Sequence, residues 1–235
     1  MDNRSSDNMK IRNSNGHLTS VVSVPILQLG LIIALSVCCF ISQDANACGI
    51  CPCAPTTYLY SANTLPNKDE FKWDSQIQDG LVSASAGLLN IDTTRSSLSY
   101  AMFSRCWNIT NNLGVTVEAR VRLNSYVGSR KKGAAGLWIT DEGGGVILVI
   151  DDTGVSLYGS SYVYSMKTMD DFHIYRVVMK GTDAQVYVDG SLVIDGKSVY
   201  SSTVVKERSE LVFGDGATDA SGSSTWDYVK YWQHF

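Results

Sequence analysis

The run Val115-Thr116-Val117-Glu118-Ala119-Arg120-Val121-Arg122 places a carboxylate and two guanidinium groups on alternate positions of a strand-like segment. Thr116, Glu118, Arg120 and Arg122 therefore share one face. A carboxylate in mid-strand suits acid–base chemistry on a glycoside, but a retaining glycosidase needs two carboxyl groups about 5 Å apart, one of them raised in pKa. Arg120 beside Glu118 acts the other way and holds the carboxyl ionised. The spacing thus points to a surface ion pair before a general acid. A polysaccharide lyase needs a Tyr or His base and an Arg that neutralises the uronate carboxylate. His173 in one strand-like run, Arg120 and Arg122 in another, and 12 tyrosines supply the residue types. His173, next to Phe172 in a segment that looks buried, reads more simply as a structural histidine. No Ser-His-Asp arrangement or metalloprotease helix can be drawn.

A second chemistry needs aromatic rings. Sugars present apolar C–H faces and a rim of hydroxyls, so a binding site combines an aromatic platform with amides, carboxylates or Arg. Trp138 alternates with Leu137 and Ile139; if those two face the core, Trp138 lies on a sheet surface and is the first platform candidate. Tyr158, Tyr162 and Tyr164 cluster in a loop-like YGSSYVY and could line a rim or pack a hairpin. With Trp138, the candidate ligand-binding set is Arg120, Arg122, Glu118, Tyr158 and Tyr162. Trp73, Trp107 and Trp226 are read as structural.

Hard cations need six to eight oxygen ligands. Asp215, Asp219 and Asp227 in FGDGATDASGSSTWD could converge on a structural Ca2+, with Asp151 and Asp152 as an alternative pair; Asp and Gly are also ordinary turn formers. No other cofactor is required. Gly143-Gly144-Gly145 is no phosphate loop, because no Lys-Ser pair follows and no helix opens after it. Asn108-Ile109-Thr110 is an N-glycosylation sequon, relevant where the host glycosylates exported proteins.

The elements that must position these residues belong to one domain. The chain has 235 residues, 44% hydrophobic and 18% charged, with a formal charge of -4. Its basic residues are dispersed except at Arg130-Lys131-Lys132, which excludes a nucleic-acid footprint. Residues 1–47 form an export segment: a polar start with Lys10 and Arg12, an apolar run from Val21 to Ile41, and Ala45-Asn46-Ala47 as a cleavage site. The protein is therefore expected outside the cell or on its surface, with a single uncleaved N-terminal anchor, or lipidation at Cys48, as alternatives. Residues 48–67, rich in Cys and Pro, read as a linker, and 68–235 as the domain. Cleavage leaves Cys48, Cys51, Cys53 and Cys106. In an exported chain these read as disulfide cysteines whose pairing spacing cannot choose, ahead of a zinc site that lacks the second paired spacing.

Short strands with turn signals between them are expected at Phe71–Trp73, Leu81–Ser83, Leu88–Ile91, Ser99–Cys106, Leu113–Leu123, Ala134–Thr140, Val146–Ile150, Gly154–Tyr158 and Trp226–Trp232. Phe172 to Gly196 writes out an antiparallel meander, with Asp189-Gly190 as a type I′ hairpin turn. The fold class is all-β, an antiparallel β-sandwich.

The order and spacing of VTVEARVRL (115–123), FHIYRVVMKG (172–181), VYVDGSLV (186–193), FGDG (213–216) and WDYV (226–229) resemble the concanavalin A-like lectin/glucanase superfamily, with its laminin G-like domains. The resemblance spans roughly residues 71–232 and implies a jelly roll whose concave sheet often holds a glycan. Hydrolases of that superfamily carry Glu-x-Asp-x-x-Glu on one strand, and this chain has no such triplet. The expectation is an exported, non-catalytic module that binds a glycan or a cell-surface polymer, with no nucleic acid and no membrane contact unless the N-terminal segment stays uncleaved. The alternatives are a carbohydrate-active enzyme of the same fold and a purely structural surface protein.

Overall fold

The computed structural model of the protein describes residues 57–234 except 97, 108–112, 129–131, 142, 202–208 and 217–219. The export segment, Cys48, Cys51, Cys53, the sequon and Asp219 lie outside the described residues. Two antiparallel sheets stack into a concanavalin A-like jelly roll. The eight-stranded sheet runs β13 (Ser191–Gly196), β12 (Asp183–Val188), β11 (His173–Lys180), β6 (Val115–Gly128), β15 (Ala220–Gln233), β4 (Leu88–Asp92) and β3 (Leu81–Ser85), with β1 (Thr57–Tyr60) beside the end of β15. The seven-stranded sheet runs β10 (Val163–Ser165), β9 (Gly154–Leu157), β8 (Gly144–Asp151), β7 (Ala135–Asp141), β14 (Glu210–Asp215), β5 (Tyr100–Cys106) and β2 (Asp74–Gln78).

Period-2 alternation sets the faces of both sheets. In β6, Val115, Val117, Ala119, Val121 and Leu123 are fully buried and point between the sheets. The intervening Thr116, Glu118, Arg120 and Arg122 point outward. The meander forms as its residues dictate: β11 pairs with β12 and β12 with β13, and Asp189 and Gly190 have φ of 50° and 85°. Positive φ at both positions gives a two-residue turn whose twist matches that of the strands.

The core is dense in aromatic rings. Trp73, Trp107 and Trp226 are buried, as their positions implied. Phe213 is the hub, meeting Trp73 edge-on at 4.9 Å and Trp226 at 5.1 Å between ring centroids. Trp107 Nε1 donates to the Thr140 carbonyl at 2.8 Å, which satisfies the indole inside the core.

Three elements depart from expectation. Residues 57–60, read as linker, form β1 on β15, and Tyr58 and Tyr60 enter the core. Four residues are too few for an alternation pattern to stand out among Pro, Thr and Ser. Phe71 to Trp73 is not a strand; Phe71 is exposed and meets Tyr58 edge-on, while the edge strand β2 begins at Asp74. Every residue of β2 is exposed, so its sequence carries no apolar signature. Leu113, expected in the core, is 52% exposed because the strand begins two residues later, after Gly114 turns the chain at φ 90°.

Candidate functional site

The seven-stranded sheet presents a groove of about 260 Å³ on its outer face, lined by Gln76, Met102, Ser104, Trp138, Glu210, Val212 and Gly216. Its floor follows from register. On β7, Leu137 and Ile139 are fully buried, so Trp138 points outward. Trp138 pairs with Val212 on β14, Val212 with Ser104 on β5, and Ser104 with Asp74 on β2. In the other direction Trp138 pairs with Ile147 on β8, and the Tyr158 N–H donates to the Ile147 carbonyl at 3.0 Å. One cross-strand row therefore reads Tyr158, Ile147, Trp138, Val212, Ser104, Asp74. The adjacent row reads Val149, Gly136, Gly214, Met102, Gln76.

Glycines decide how the indole lies. A methyl group at Gly136 would stand 3.2 and 3.3 Å from Trp138 Cζ3 and Cη2, and one at Gly216 would stand 3.1 Å from Cζ2 and 2.5 Å from Met102 Sδ. Both are closer than ordinary van der Waals contact. The benzo edge of the ring thus rests on bare backbone, with the Met102 thioether nearby. Around this apolar floor stand an amide (Gln76), a hydroxyl (Ser104) and a carboxylate (Glu210), the last largely buried at the strand end next to Thr140.

Glu118, Arg120 and Arg122 lie on the opposite side of the sandwich, on the outer face of the eight-stranded sheet. Trp138 is separated from them by the whole core, two sheets about 10 Å apart. Glu118 is also no surface ion pair, since its side chain is 3% exposed. It accepts from Arg176 Nε at 2.7 Å, from Lys230 Nζ at 2.8 Å and from Tyr228 Oη at 2.8 Å. Burial alone would push the Glu118 carboxyl up, but hydrogen bonds from Lys230, Tyr228 and Arg176, with the charge of Lys230, outweigh it and hold the carboxyl below the ordinary glutamate value. That state opposes a general-acid role. The suppressing cations are Lys230 and Arg176, not the sequence neighbour Arg120, which pairs with Asp227 at 2.6 Å. Arg120 and Arg122 both stack on the Phe172 ring, at 4.6 and 5.1 Å from its centroid.

The register of β15 explains this arrangement. Bulges fall at Ser223/Ser224 and between Trp226 and Tyr228, leaving Asp227 as the extra residue. Without the second bulge Trp226 and Tyr228 would share a face. With it, Trp226 points into the core, and Tyr228 and Lys230 reach Glu118.

The other candidates fall as follows. Tyr158 is 49% exposed, on the row of Trp138 and two strands away. Tyr162 packs against the core, and its hydroxyl accepts the Lys197 N–H at 3.2 Å. Asp215 is buried at the end of β14 and accepts from Thr93 Oγ1 at 2.5 Å. Asp227 lies on the outer face of the other sheet, so the structure does not bring the two aspartates together. Among the described residues no group of three or more His, Cys, Asp or Glu side chains is placed to hold a metal ion. His173 lies between two carboxylates, Asp189 and Asp170. Cys106 closes β5. Among the described residues no helix is long and apolar enough to cross a membrane. Sequence reasoning missed Gln76, Met102, Ser104, Glu210 and Val212. Gln76 lies on β2, exposed throughout, and Glu210 and Val212 on β14, buried throughout, where burial draws no line between the faces. Met102 and Ser104 lie on β5, of mixed burial, and the residues across from them are set by its pairing with β14 and β2.

No protein-family model and no curated protein matches this chain. Solved structures do. A native glycosidic hydrolase superposes with a TM-score of 0.51 at 14% identity, over 75% of this chain and 95% of that one. A prokaryotic β-1,3-1,4-glucanase (lichenase) from a mouse hindgut metagenome gives 0.48 at 15% identity over 75% and 99% of the two chains. The carbohydrate recognition domain of Emp47p gives 0.42 at 14% identity over 75% and 97%. At these identities the likeness is one of fold.

Proposed function

Starting from a concanavalin A-like jelly roll, a fold this chain shares with a glycosidic hydrolase, we propose that the protein is an exported, non-catalytic glycan-binding module. The groove on the outer face of the seven-stranded sheet is its binding site. The observation that carries the reading is the Trp138 indole laid over Gly136 and Gly216, with Gln76, Ser104 and Glu210 around it. An aromatic plate offers C–H contact to a sugar face, and the amide, hydroxyl and carboxylate suit the hydroxyl rim. Tyr158, two strand spacings or about 10 Å along the same row, is placed to meet a further ring of the same glycan chain. Among the described groove-lining residues Glu210 is the single carboxylate, whereas glycoside hydrolysis ordinarily takes a pair. Export rests on residues 1–47, and a disulfide at Cys106 would suit an oxidising compartment.

The test is a retention assay on immobilised neutral and acidic polysaccharides, with soluble reducing ends followed in the same wells. Retention without sugar release, lost in Trp138→Ala at an unchanged melting temperature, is the expected result. Sugar release would make the protein an enzyme. Retention unaffected by Trp138→Ala would move the site elsewhere, and no retention on any polymer would favour a structural role.

A further inference from the structure

The β11 end of the eight-stranded sheet carries a titratable contact with a mechanical consequence: His173 is on the core-side face, in line with Tyr175, and Phe172 on the outer face. His173 opens β11, and its side chain is 16% exposed. Nδ1 lies 2.7 Å from Asp189 Oδ2, in the β12–β13 turn, and Nε2 lies 3.1 Å from Asp170 Oδ1, in the segment leading into β11. Carboxylates only accept, so both contacts are hydrogen bonds only when both ring nitrogens carry protons. The two arms are unequal. Asp189 is also tied to β11 through its backbone, since Ile174 N–H donates to Asp189 Oδ1 at 2.9 Å and the Asp189 N–H donates to the Ile174 carbonyl at 2.9 Å. Asp170 has no such second tie to β11, although the two aspartate side chains are equally exposed, at 52% each.

Phe172 stands between Asp170 and His173, and its ring covers the guanidinium groups of Arg120 and Arg122 on β6. The groups around the imidazole are few. Asp170 and Asp171 come from the approach segment, where the Asp171 carboxylate accepts the Phe172 N–H at 2.7 Å. Asp189 comes from the turn, and the Tyr175 ring on the same strand is 6.1 Å away. From β6, Arg120 and Arg122 meet Phe172, not the imidazole.

We propose that His173 is a pH-sensitive latch. As imidazolium it holds Asp170 and thereby pins Phe172 over Arg120 and Arg122; on losing its proton it keeps Asp189, releases Asp170 and uncovers the arginine pair. The shorter contact and the backbone ties favour the Nδ1–H tautomer, which retains Asp189. Burial opposes the charged ring, but the hydrogen bonds and charges of Asp189 and Asp170 prevail and raise the His173 pKa above its ordinary 6.5. The latch is therefore closed below that value and opens as pH rises through the raised one. The pH-responsive side of the molecule is then the outer face of the eight-stranded sheet, and the inference is independent of glycan binding in the groove.

Two measurements on the full chain test it together. Imidazole NMR gives the His173 pKa, assigned by loss of its signal in His173→Gln. Hydrogen exchange read by mass spectrometry, corrected for the intrinsic pH dependence, gives the opening of residues 167–174 relative to 115–123. Opening is expected to rise tenfold for each unit by which the measured pKa exceeds the free value. His173→Gln should show no such rise. Asp170→Asn, a surface change that leaves the strands intact, should exchange as the open form both below and above the measured His173 pKa. A His173 pKa at or below the free value, pH-independent opening, or the same rise in both variants would overturn the latch.

Discussion

Replacing Glu118 by Gln tests the central claim about the outer face of the eight-stranded sheet, that a buried carboxylate ties β6, β11 and β15 together. The substitution keeps shape and leaves an amide oxygen for the Tyr228 hydroxyl, but removes the charge opposite Arg176 and Lys230. Hydrogen bonds to charged groups contribute about 1.5–3 kcal/mol each when buried. Here the carboxylate is buried, yet the cations are not, with side-chain exposures of 40% and 37%. Water will hydrate them once the carboxylate is gone, so roughly half of that is retained, for a loss of about 1.5–3 kcal/mol in all. In a domain of this size that is about 3–12 °C in Tm. Urea unfolding of both proteins at pH 7 and pH 4 measures it. Because the Glu118 carboxyl is held below its ordinary value of 4.5, its contribution is present above that pH and fades as pH falls through the depressed value. The gap between wild type and Glu118→Gln should therefore be full at pH 7 and narrow toward acid. A loss under about 0.5 kcal/mol at pH 7, or a gap that does not narrow, would refute the keystone role.

Gly216→Ala should weaken polysaccharide retention with little loss of stability, because the added methyl meets the movable Met102 thioether and the edge of the Trp138 ring; retention equal to wild type would mean that the indole is not the platform. Trp226→Ala should cost about 3–5 kcal/mol, since Trp226 is fully buried against Phe213, whereas Trp138→Ala should cost far less in the same urea assay. Asp227→Asn breaks an ion pair whose partners are 37% and 34% exposed, so a change below about 1 kcal/mol is expected, diminishing with salt. Asp215 and Asp227 are held apart, so chelation should leave Tm unmoved; a fall of several degrees that calcium restores would place a cation site on other oxygens.

The elements legible in the sequence are those whose pattern is local. In β6 the alternation of Val117, Ala119 and Val121 with Glu118, Arg120 and Arg122 is itself the division between core and surface. Asp189-Gly190 demands positive φ within two residues, and Trp138 is placed outward by its immediate neighbours. Strands whose environment is uniform carry no such division between faces: β2, exposed throughout, was not expected at Asp74–Gln78, and β8, buried throughout, was expected as a strand at Val146–Ile150 but with no core face assigned. The 14-residue β15 was legible only in its last half. Its bulge, which separates the faces of Trp226 and Tyr228, depends on pairing with β6 and not on composition.

What the sequence by itself determined is therefore the class of the fold and the identity of the core-facing residues on its alternating strands, with Trp138 outward only on the condition, met in the structure, that Leu137 and Ile139 face the core. What the tertiary structure decided is which residues share a surface. Glu118, Arg120 and Arg122 were candidates alongside Trp138 for one site, and the sandwich puts them on opposite sides of its core. The partners that matter to each, Lys230 and Arg176 for Glu118 and Gly216 and Met102 for Trp138, come from strands distant in sequence. Period-2 geometry says that a side chain points away from its neighbours; which sheet it belongs to, and what stands across from it, is a matter of long-range pairing.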